Sequence, residues 1–366
     1  MTPEFDVVVV GAGVVGLAVA RALARAGREV LVLEREDGFG RQTSSRSSEV
    51  IHAGFYYPPG SLKAAACVRG KALLYEFCAR HGVAHRRLGK LVVASASEQW
   101  PELEALARRG AAHGVDDLEL WEADRVARSE PALRTAGALW SPSTGILDSH
   151  GFMHALVADA SAHGAQFAWR TRVCAIERRP DAIHLVTERE TTTCRQLVNA
   201  AGLAAVDLAR CVRAHDAERW PRPHFAKGHY FALHRPAPFR HLVYPLPEGG
   251  GLGIHLTLDL QGRARFGPDH IWIDAVDYTF DDDRRSAFEA AIRRYWPDLP
   301  QDALRPDYVG VRPKIFGPGD APRDFLVSTP ADHGVPGIVH LLGIESPGMT
   351  AALALAERVT EALAIG

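Results

Sequence analysis

The chain has 366 residues, with 42 Lys and Arg against 44 Asp and Glu, a formal charge of −2, 47% hydrophobic and 23% charged residues. This composition excludes a disordered chain, and the near balance of charge leaves no footprint for nucleic acid or an anionic membrane surface. Five widely spaced cysteines (Cys67, Cys78, Cys174, Cys194, Cys211) with no C-x-x-C argue against a disulfide framework or a structural zinc, and no His/Asp/Glu cluster has metal-ligand spacing.

In chain order, Phe5 to Val10 reads as a buried strand, Val14 to Ala26 as a helix stopped by Gly27, and Glu29 to Leu33 as a second buried strand. This is a β-α-β unit with a right-handed crossover. The charge-free run Val7 to Ala20 and the triplet Ala18-Val19-Ala20 imitate a signal peptide. The run is too short to span a bilayer, and it is preceded by Glu4 and Asp6 rather than by positive charge, so a cytoplasmic protein with no transmembrane segment is expected. A polar loop over Arg35 to Ser48 precedes a long helix, Ser61 to His81. The middle of the chain brings strands at Leu91–Val93 and Ala138–Trp140, helices at Glu98–His113 and Gly151–His163, and alternating strands over 171–178, 182–188 and 195–199. Short strands follow at His229–Leu233, Gly253–Thr257 and Ala264–Phe266, then a helix at Asp283–Trp296. The chain ends on a strand, Ile338–Leu342, and a helix, Thr350–Leu363. At roughly 100–200 residues per domain, the length suits two domains. The ends read as α/β and the interior as a mostly antiparallel insert, so the domains are expected to be discontinuous.

The strongest local signal is Gly11-Ala12-Gly13-Val14-Val15-Gly16, placed between strand and helix as a dinucleotide-binding turn requires. The first glycine allows the tight turn, the second lets a pyrophosphate approach the backbone, and the third lets helix and strand pack. The helix N-terminus then offers free N–H groups to phosphate. Glu34 follows Gly16 by eighteen residues, at the end of the second strand, where a carboxylate accepts hydrogen bonds from ribose hydroxyls and repels a 2′-phosphate.

This unit alone does not separate NAD from FAD. Three later features point to FAD: the hydroxyl- and arginine-rich run Arg41-Gln42-Thr43-Ser44-Ser45-Arg46-Ser47-Ser48; the strand Val198-Asn199-Ala200-Ala201-Gly202 ending in small residues; and Leu342-Gly343-Ile344-Glu345-Ser346-Pro347-Gly348-Met349-Thr350, which runs from a strand into the last helix. A helix N-terminus there suits negative charge on a reduced flavin.

With these motifs the chain resembles the D-amino-acid-oxidase-like flavoproteins, and within them the L-2-hydroxyglutarate dehydrogenase/oxidase group. The resemblance runs nearly end to end. Its most specific stretch is Ile51-His52-Ala53-Gly54-Phe55-Tyr56-Tyr57, followed by Cys67-Val68-Arg69-Gly70. Gly89-Lys90-Leu91, Thr144-Gly145-Ile146-Leu147-Asp148, Tyr244-Pro245-Leu246-Pro247, Gly253-Ile254-His255 and Gly310-Val311-Arg312-Pro313 also carry it.

The resemblance implies a glutathione-reductase-like FAD-binding Rossmann domain (1–84, 146–213 and 313–366) with a mostly antiparallel substrate domain inserted (85–145 and 214–312), α/β in class and α+β overall. It implies FAD held by Gly11, Gly13, Val14, Val15, Gly16, Glu34, Arg35, Thr43, Ser44, Ser45, Arg46, Ser48, Val173, Ala201, Gly202, Gly343, Gly348 and Met349. It also implies oxidation of an L-2-hydroxy acid, L-2-hydroxyglutarate first, with electrons passed to oxygen or to a membrane quinone pool, where peripheral membrane contact would serve. Oxidation of an amino acid, an amine or glycerol 3-phosphate on the same scaffold, and a non-enzymatic flavin-binding sensor, are the alternatives. None of the cysteines lies in a flavin-attachment motif, so the FAD is expected to be non-covalent, with His52 the one residue placed to contradict this.

Such a reaction needs a base for the hydroxyl proton and cations for the carboxylates. His52 and His255 are the candidate bases, each equally readable as a structural histidine. Arg312 suits the carboxylate beside the reacting carbon, Lys227 the distal one, and Tyr56, Tyr57 and Tyr244 can donate hydrogen bonds. Two departures from the group touch the exact acid: Lys227 stands where the group usually has Arg, and the segment between Gly267 and Arg312 is short.

Overall fold

A computed structural model describes residues 3–212, 217–246 and 253–364. Pro247 of the Tyr244-Pro245-Leu246-Pro247 motif and the expected 213/214 domain boundary lie outside the described residues.

The N-terminal β-α-β unit forms as its sequence dictates. Strand Phe5–Val10 runs into helix Val14–Arg25 and returns as strand Val30–Leu33, the two strands parallel with Val7 beside Val30. Phe5–Val10 is also parallel to Thr191–Asn199, which pairs with Ile338–Leu342. The sheet is completed by Gln166–Ala168, by Leu326–Ser328, and at the other edge by Val173–Arg178 and Ile183–Thr187. Valine and leucine on both faces of its central strands are buried, as a sheet covered on two sides demands. One face packs against Val14–Arg25, Ser149–Ala162 and the C-terminal helix Gly348–Ala364, joined by Leu74 and Phe77 of the long helix Leu62–His81.

The second sheet is antiparallel except where Leu242–Pro245 runs parallel to Lys90–Ala94. Its order is Ile271–Ile273, His224–Leu233, Ala264–Phe266, Leu256–Leu258, Leu242–Pro245, Lys90–Ala94, Gly137–Ser141, Glu119–Glu122. Leu304–Lys314 pairs with His224–Leu233 along almost its whole length, from Leu304 beside Leu233 to Lys314 beside His224. Its strands come from 90–141 and 224–314, those of the first sheet from 5–33, 166–199 and 326–342. The expected boundary after Arg312 therefore falls inside a strand that continues to Lys314.

A small sheet of Val50–Ile51, Gly145–Leu147 and His85–Arg86 lies at the chain crossings between the two. It explains the Thr144–Asp148 motif. A Cβ on Gly145 would lie 2.2 Å from the Tyr75 hydroxyl and 2.5 Å from the Arg86 carbonyl, and Asp148 caps the next helix by accepting from the Gly151 amide at 2.9 Å.

Several elements differ from the sequence reading. Leu304–Lys314 and Leu242–Pro245 carry prolines that mask their strand pattern, and the first alternates with exposed arginine and aspartate at one end. Strand Glu119–Glu122 and the short helix Ala123–Ser129 leave mostly polar residues exposed and bury Trp121 and Val126. The strand expected over Gly253–Thr257 begins only at Leu256, so His255 precedes it. The last helix starts two residues earlier than expected, at Gly348.

Candidate active site

The glycine turn is built as the motif requires. Gly11 has φ +104°, and a Cβ there would lie 2.5 Å from the Ala200 carbonyl oxygen; one on Gly16 would lie 2.0 Å from the Gly11 oxygen. Gly13 is open apart from the Ser44 hydroxyl. The Glu34 carboxylate accepts from the Ala12 amide at 2.7 Å and from the Glu36 amide at 2.9 Å, so it holds the turn as well as facing the space beside it. The Val14 amide, free at the helix N-terminus, donates to Ser44 Oγ at 3.0 Å.

These groups border a cavity of about 440 Å³ lined by Gly11, Gly13, Glu34, Arg35, Thr43, Ser44, Val173, Ala201 and Gly202, among others. A glycine cradle that side chains would fill, a helix N-terminus, and an acid at the ribose position together fit the adenosine and pyrophosphate of FAD.

Other expected cofactor residues have protein partners. Ser45 Oγ donates to the Gln42 carbonyl, Ser48 shares a hydrogen bond of 2.8 Å with the Tyr230 hydroxyl, and Arg46 donates to the Val309 carbonyl while lying 4.2 Å from the Tyr278 ring centre. Val15 lies in the first helical turn. Gly343 closes strand Ile338–Leu342 at φ +66°, and Gly348 and Met349 open the last helix.

His52 follows the small-sheet strand Val50–Ile51 and is wedged between two helices. Its backbone amide donates to Thr350 Oγ1 at 3.1 Å, Thr350 in turn donates to the Val50 carbonyl, and Cys67 Sγ reaches the His52 carbonyl at 3.5 Å. Close helix packing sets this position: a Cβ on Gly70 would lie 2.3 Å from the Thr350 carbonyl oxygen. On the imidazole, Nε2 makes a long 3.5 Å contact with Ser346 Oγ, and Nδ1 is buried without a partner among the described residues. Burial, then the charges of Lys90 and His255, hold this imidazole well below the usual histidine range. It is therefore neutral and able to accept a proton.

His255, Tyr56, Tyr57, Tyr244 and Lys90 gather on the same side. The His255 ring stacks on Tyr244 with centroids 3.6 Å apart. Burial raises the phenols of Tyr56, Tyr57 and Tyr244, which stay protonated as donors. Arg312 reaches this cluster from Leu304–Lys314, and its charge acts on the hydroxyls of Tyr230 and Tyr244. Beside it, Glu345 bridges Lys63 at 3.2 Å and Lys314 at 2.7 Å. Burial would raise that carboxyl, but the two lysines and Arg312 outweigh it and hold it below the usual range.

Lys227 departs from expectation. Its Nζ lies 2.6 Å from the Asp277 carboxylate, which it holds well below the usual aspartate range, so it already has an anion and is not an open anchor for substrate. Lys90, Tyr230 and Ser346 are site residues to which the sequence attached no role, although Lys90 and Ser346 lie within its motifs. The signal for Lys90 was its position, a lysine heading the apolar run Leu91-Val92-Val93-Ala94 in a chain with only five lysines.

A mixed sheet with a parallel centre and a glycine cradle, capped by a second, largely antiparallel sheet that carries histidine, tyrosine and arginine to one place, defines a flavin-dependent oxidoreductase. The chain belongs to the FAD dependent oxidoreductase (DAO) family, whose model matches residues 6–362. It is 43% identical to the L-2-hydroxyglutarate dehydrogenase, mitochondrial, of Arabidopsis thaliana over 97% of this chain and 82% of the relative. It is 28% identical to a glycerol 3-phosphate dehydrogenase of Caloramator mitchellensis over 98% of this chain and 74% of that one. Among solved structures, FAD-bound L-alpha-glycerophosphate oxidase from Mycoplasma pneumoniae superposes with a TM-score of 0.89 at 24% identity, covering 98% of this chain and 94% of its own, and shares the fold. Among the described residues, no helix is long and apolar enough to cross a membrane.

Proposed function

We propose that this enzyme oxidises L-2-hydroxyglutarate to 2-oxoglutarate. The observation that carries this reading is the 43% identity to an L-2-hydroxyglutarate dehydrogenase over nearly the whole chain. The site chemistry supports it. Oxidation at C2 removes the hydroxyl proton and a hydride, leaving a ketone. Bound FAD supplies the hydride acceptor; the chain's residues bind and orient the acid and take the proton.

His52 is the base in this reading, with its unpartnered, buried Nδ1 and a ring held neutral. His255, packed on Tyr244, is its neighbour and the alternative base. Arg312 grips the C1 carboxylate, where a planar guanidinium fixes orientation best. Tyr56 and Tyr244 donate hydrogen bonds, and the aromatic walls keep water from the reacting carbon.

Turnover with a dye acceptor tests the reading against a panel of L-2-hydroxyglutarate, its D enantiomer, L-lactate, glycerol 3-phosphate and glycine. The L enantiomer is expected to be the best substrate by kcat/KM. Preference for glycerol 3-phosphate, the reading favoured by the 28% relative, overturns it. Repeating the assay with oxygen or a soluble quinone in place of the dye separates the two natural acceptor classes.

A further inference from the structure

Five lysines stand in this chain against 37 arginines. Four have partners: Lys63 and Lys314 share Glu345, Lys71 donates to Ser143 Oγ at 2.9 Å, and Lys227 pairs with Asp277. Lys90 differs. It is fully buried, and its Nζ has no hydrogen-bond partner among the described residues. Around it stand three aromatic rings, with Phe55, Tyr56 and Tyr244 centred 4.9, 4.6 and 4.4 Å away.

The position is fixed from both sides. Gly89 turns at φ +72° under the Trp140 ring, where a Cβ would lie 1.8 Å from the indole, and Lys90 then pairs in register with Ser141 and Leu242 of the neighbouring strands. An ammonium buried without an acceptor is costly. Ring faces compensate only in part, because they attract the charge without accepting its three hydrogen bonds. Such a group is stable in a fold when something else supplies the anion.

We propose that Lys90 is the anchor for the distal carboxylate of the substrate, the role that Lys227 cannot fill while it is paired with Asp277. The inference rests on the dicarboxylate reading above. Its chemistry follows from the two cations: Arg312 takes the carboxylate beside the reacting carbon, and Lys90, a compact charge among three aromatic rings, takes the one at the far end. A hydroxy acid without a second carboxylate leaves Lys90 as it is in the free enzyme and forgoes this contact, so the residue selects for dicarboxylates by the pairing only they gain.

The titratable groups facing Lys90 are Cys67 from the long helix, His52 and Tyr56 from the loop after Ile51, and Tyr244 from its partner strand, with His255 beyond. No anion is among them. Burial pushes the Cys67 thiol up to about 12, raises both phenols, and lowers His52. Burial also brings Lys90 itself down to about 7. Above that pH the free enzyme holds a neutral amine, and a dianionic ligand draws a proton back onto it.

The test is calorimetric binding of the product, 2-oxoglutarate, and of the monocarboxylate 2-oxobutyrate to FAD-loaded wild type, Lys90→Met and Lys90→Arg, at pH 8 in two buffers of different ionisation enthalpy. The wild type is expected to take up close to one proton with 2-oxoglutarate and less with 2-oxobutyrate. Lys90→Met is expected to weaken 2-oxoglutarate by roughly tenfold to a hundredfold, the effect of one charged hydrogen bond, to abolish the proton uptake and to leave 2-oxobutyrate unchanged. Lys90→Arg is expected to recover part of the affinity. Without ligand at about pH 6, below the Lys90 value, Lys90→Met should melt higher than wild type, because a lone buried charge has gone.

Tight 2-oxoglutarate binding with no proton uptake by the wild type overturns the inference, even if Lys90→Met does not fold. So does equal weakening of both acids, or no weakening, in a Lys90→Met protein of normal FAD content. In these cases the proposed function stands. Failure of the wild type to bind 2-oxoglutarate at all overturns that function, and the Lys90 assignment with it.

Discussion

The imidazole of His255 lies flat on the phenol ring of Tyr244, with planes 6° apart and centroids separated by 3.6 Å. The ring of a histidine just before its strand is thus packed on a face, while its backbone carbonyl accepts from the Gly267 amide at 2.9 Å. Tyr244→Phe keeps the stack and loses only the hydroxyl. Tyr244→Leu loses the stack, worth about 0.5–1.5 kcal/mol beyond burial. We expect Tyr244→Phe to retain FAD and most of kcat, and Tyr244→Leu to lower kcat/KM further. Steady-state kinetics on both, at matched FAD content, check the order.

His52 sets an acid limb. Its depressed pKa keeps the base in its accepting form well below pH 6.5, so the acid limb of kcat/KM should lie well below that pH, while loss of the Lys90 proton at about 7 sets a separate basic limb. His52→Gln should lower the rate of flavin reduction by roughly 10²–10⁴-fold. Stability has its own sign: the unfolded chain protonates this histidine near pH 6.5 and the folded chain resists. Folding stability attributable to His52 therefore falls as pH drops below about 6.5. Urea titrations at pH 7.5 and 5.5 should show a smaller acid loss in His52→Gln than in the wild type.

Glu345 is the reverse case. Its carboxylate, 9% exposed, bridges Lys63 and Lys314 and has a folded pKa below the usual range, so its stabilisation is present above the unfolded value of about 4.3 and is lost as pH falls through the folded value. Glu345→Gln leaves two lysines facing each other with no anion and should cost about 3–5 kcal/mol. Denaturant unfolding across pH 3–7 (roughly the range set by the carboxylate values) should show the gap to wild type narrowing toward the acid end.

Glu34 links the glycine turn to the cofactor space. Glu34→Ala leaves the Ala12 and Glu36 amides without their acceptor and removes the candidate ribose acceptor. FAD should bind more weakly by roughly 1–3 kcal/mol. Gel filtration of diluted enzyme, followed by its flavin-to-protein absorbance ratio, measures the loss.

The sequence made the parallel sheet readable, because continuous valine runs and a glycine turn leave few alternatives: Phe5–Val10 and the helix start at Val14 lie where the pattern puts them. The glycine turn and Glu34 were legible because their function is backbone geometry, which residue type encodes directly. Lys227 shows the limit. Its motif marks a cation, but Asp277, fifty residues away, decides what that cation meets. Lys90 was visible as a charge heading an apolar strand, within the motif Gly89-Lys90-Leu91, but with no role attached. The aromatic rings around it come from the loop after Ile51 and from Leu242–Pro245, and only folding brings them together.

The most direct measurement is anaerobic mixing of the FAD-loaded enzyme with L-2-hydroxyglutarate while following the flavin's visible absorption band. The account predicts rapid bleaching, with one 2-oxoglutarate formed per flavin reduced, and little or no bleaching by the D enantiomer. An unchanged spectrum with L-2-hydroxyglutarate, alongside bleaching by glycerol 3-phosphate or an amino acid, would contradict it.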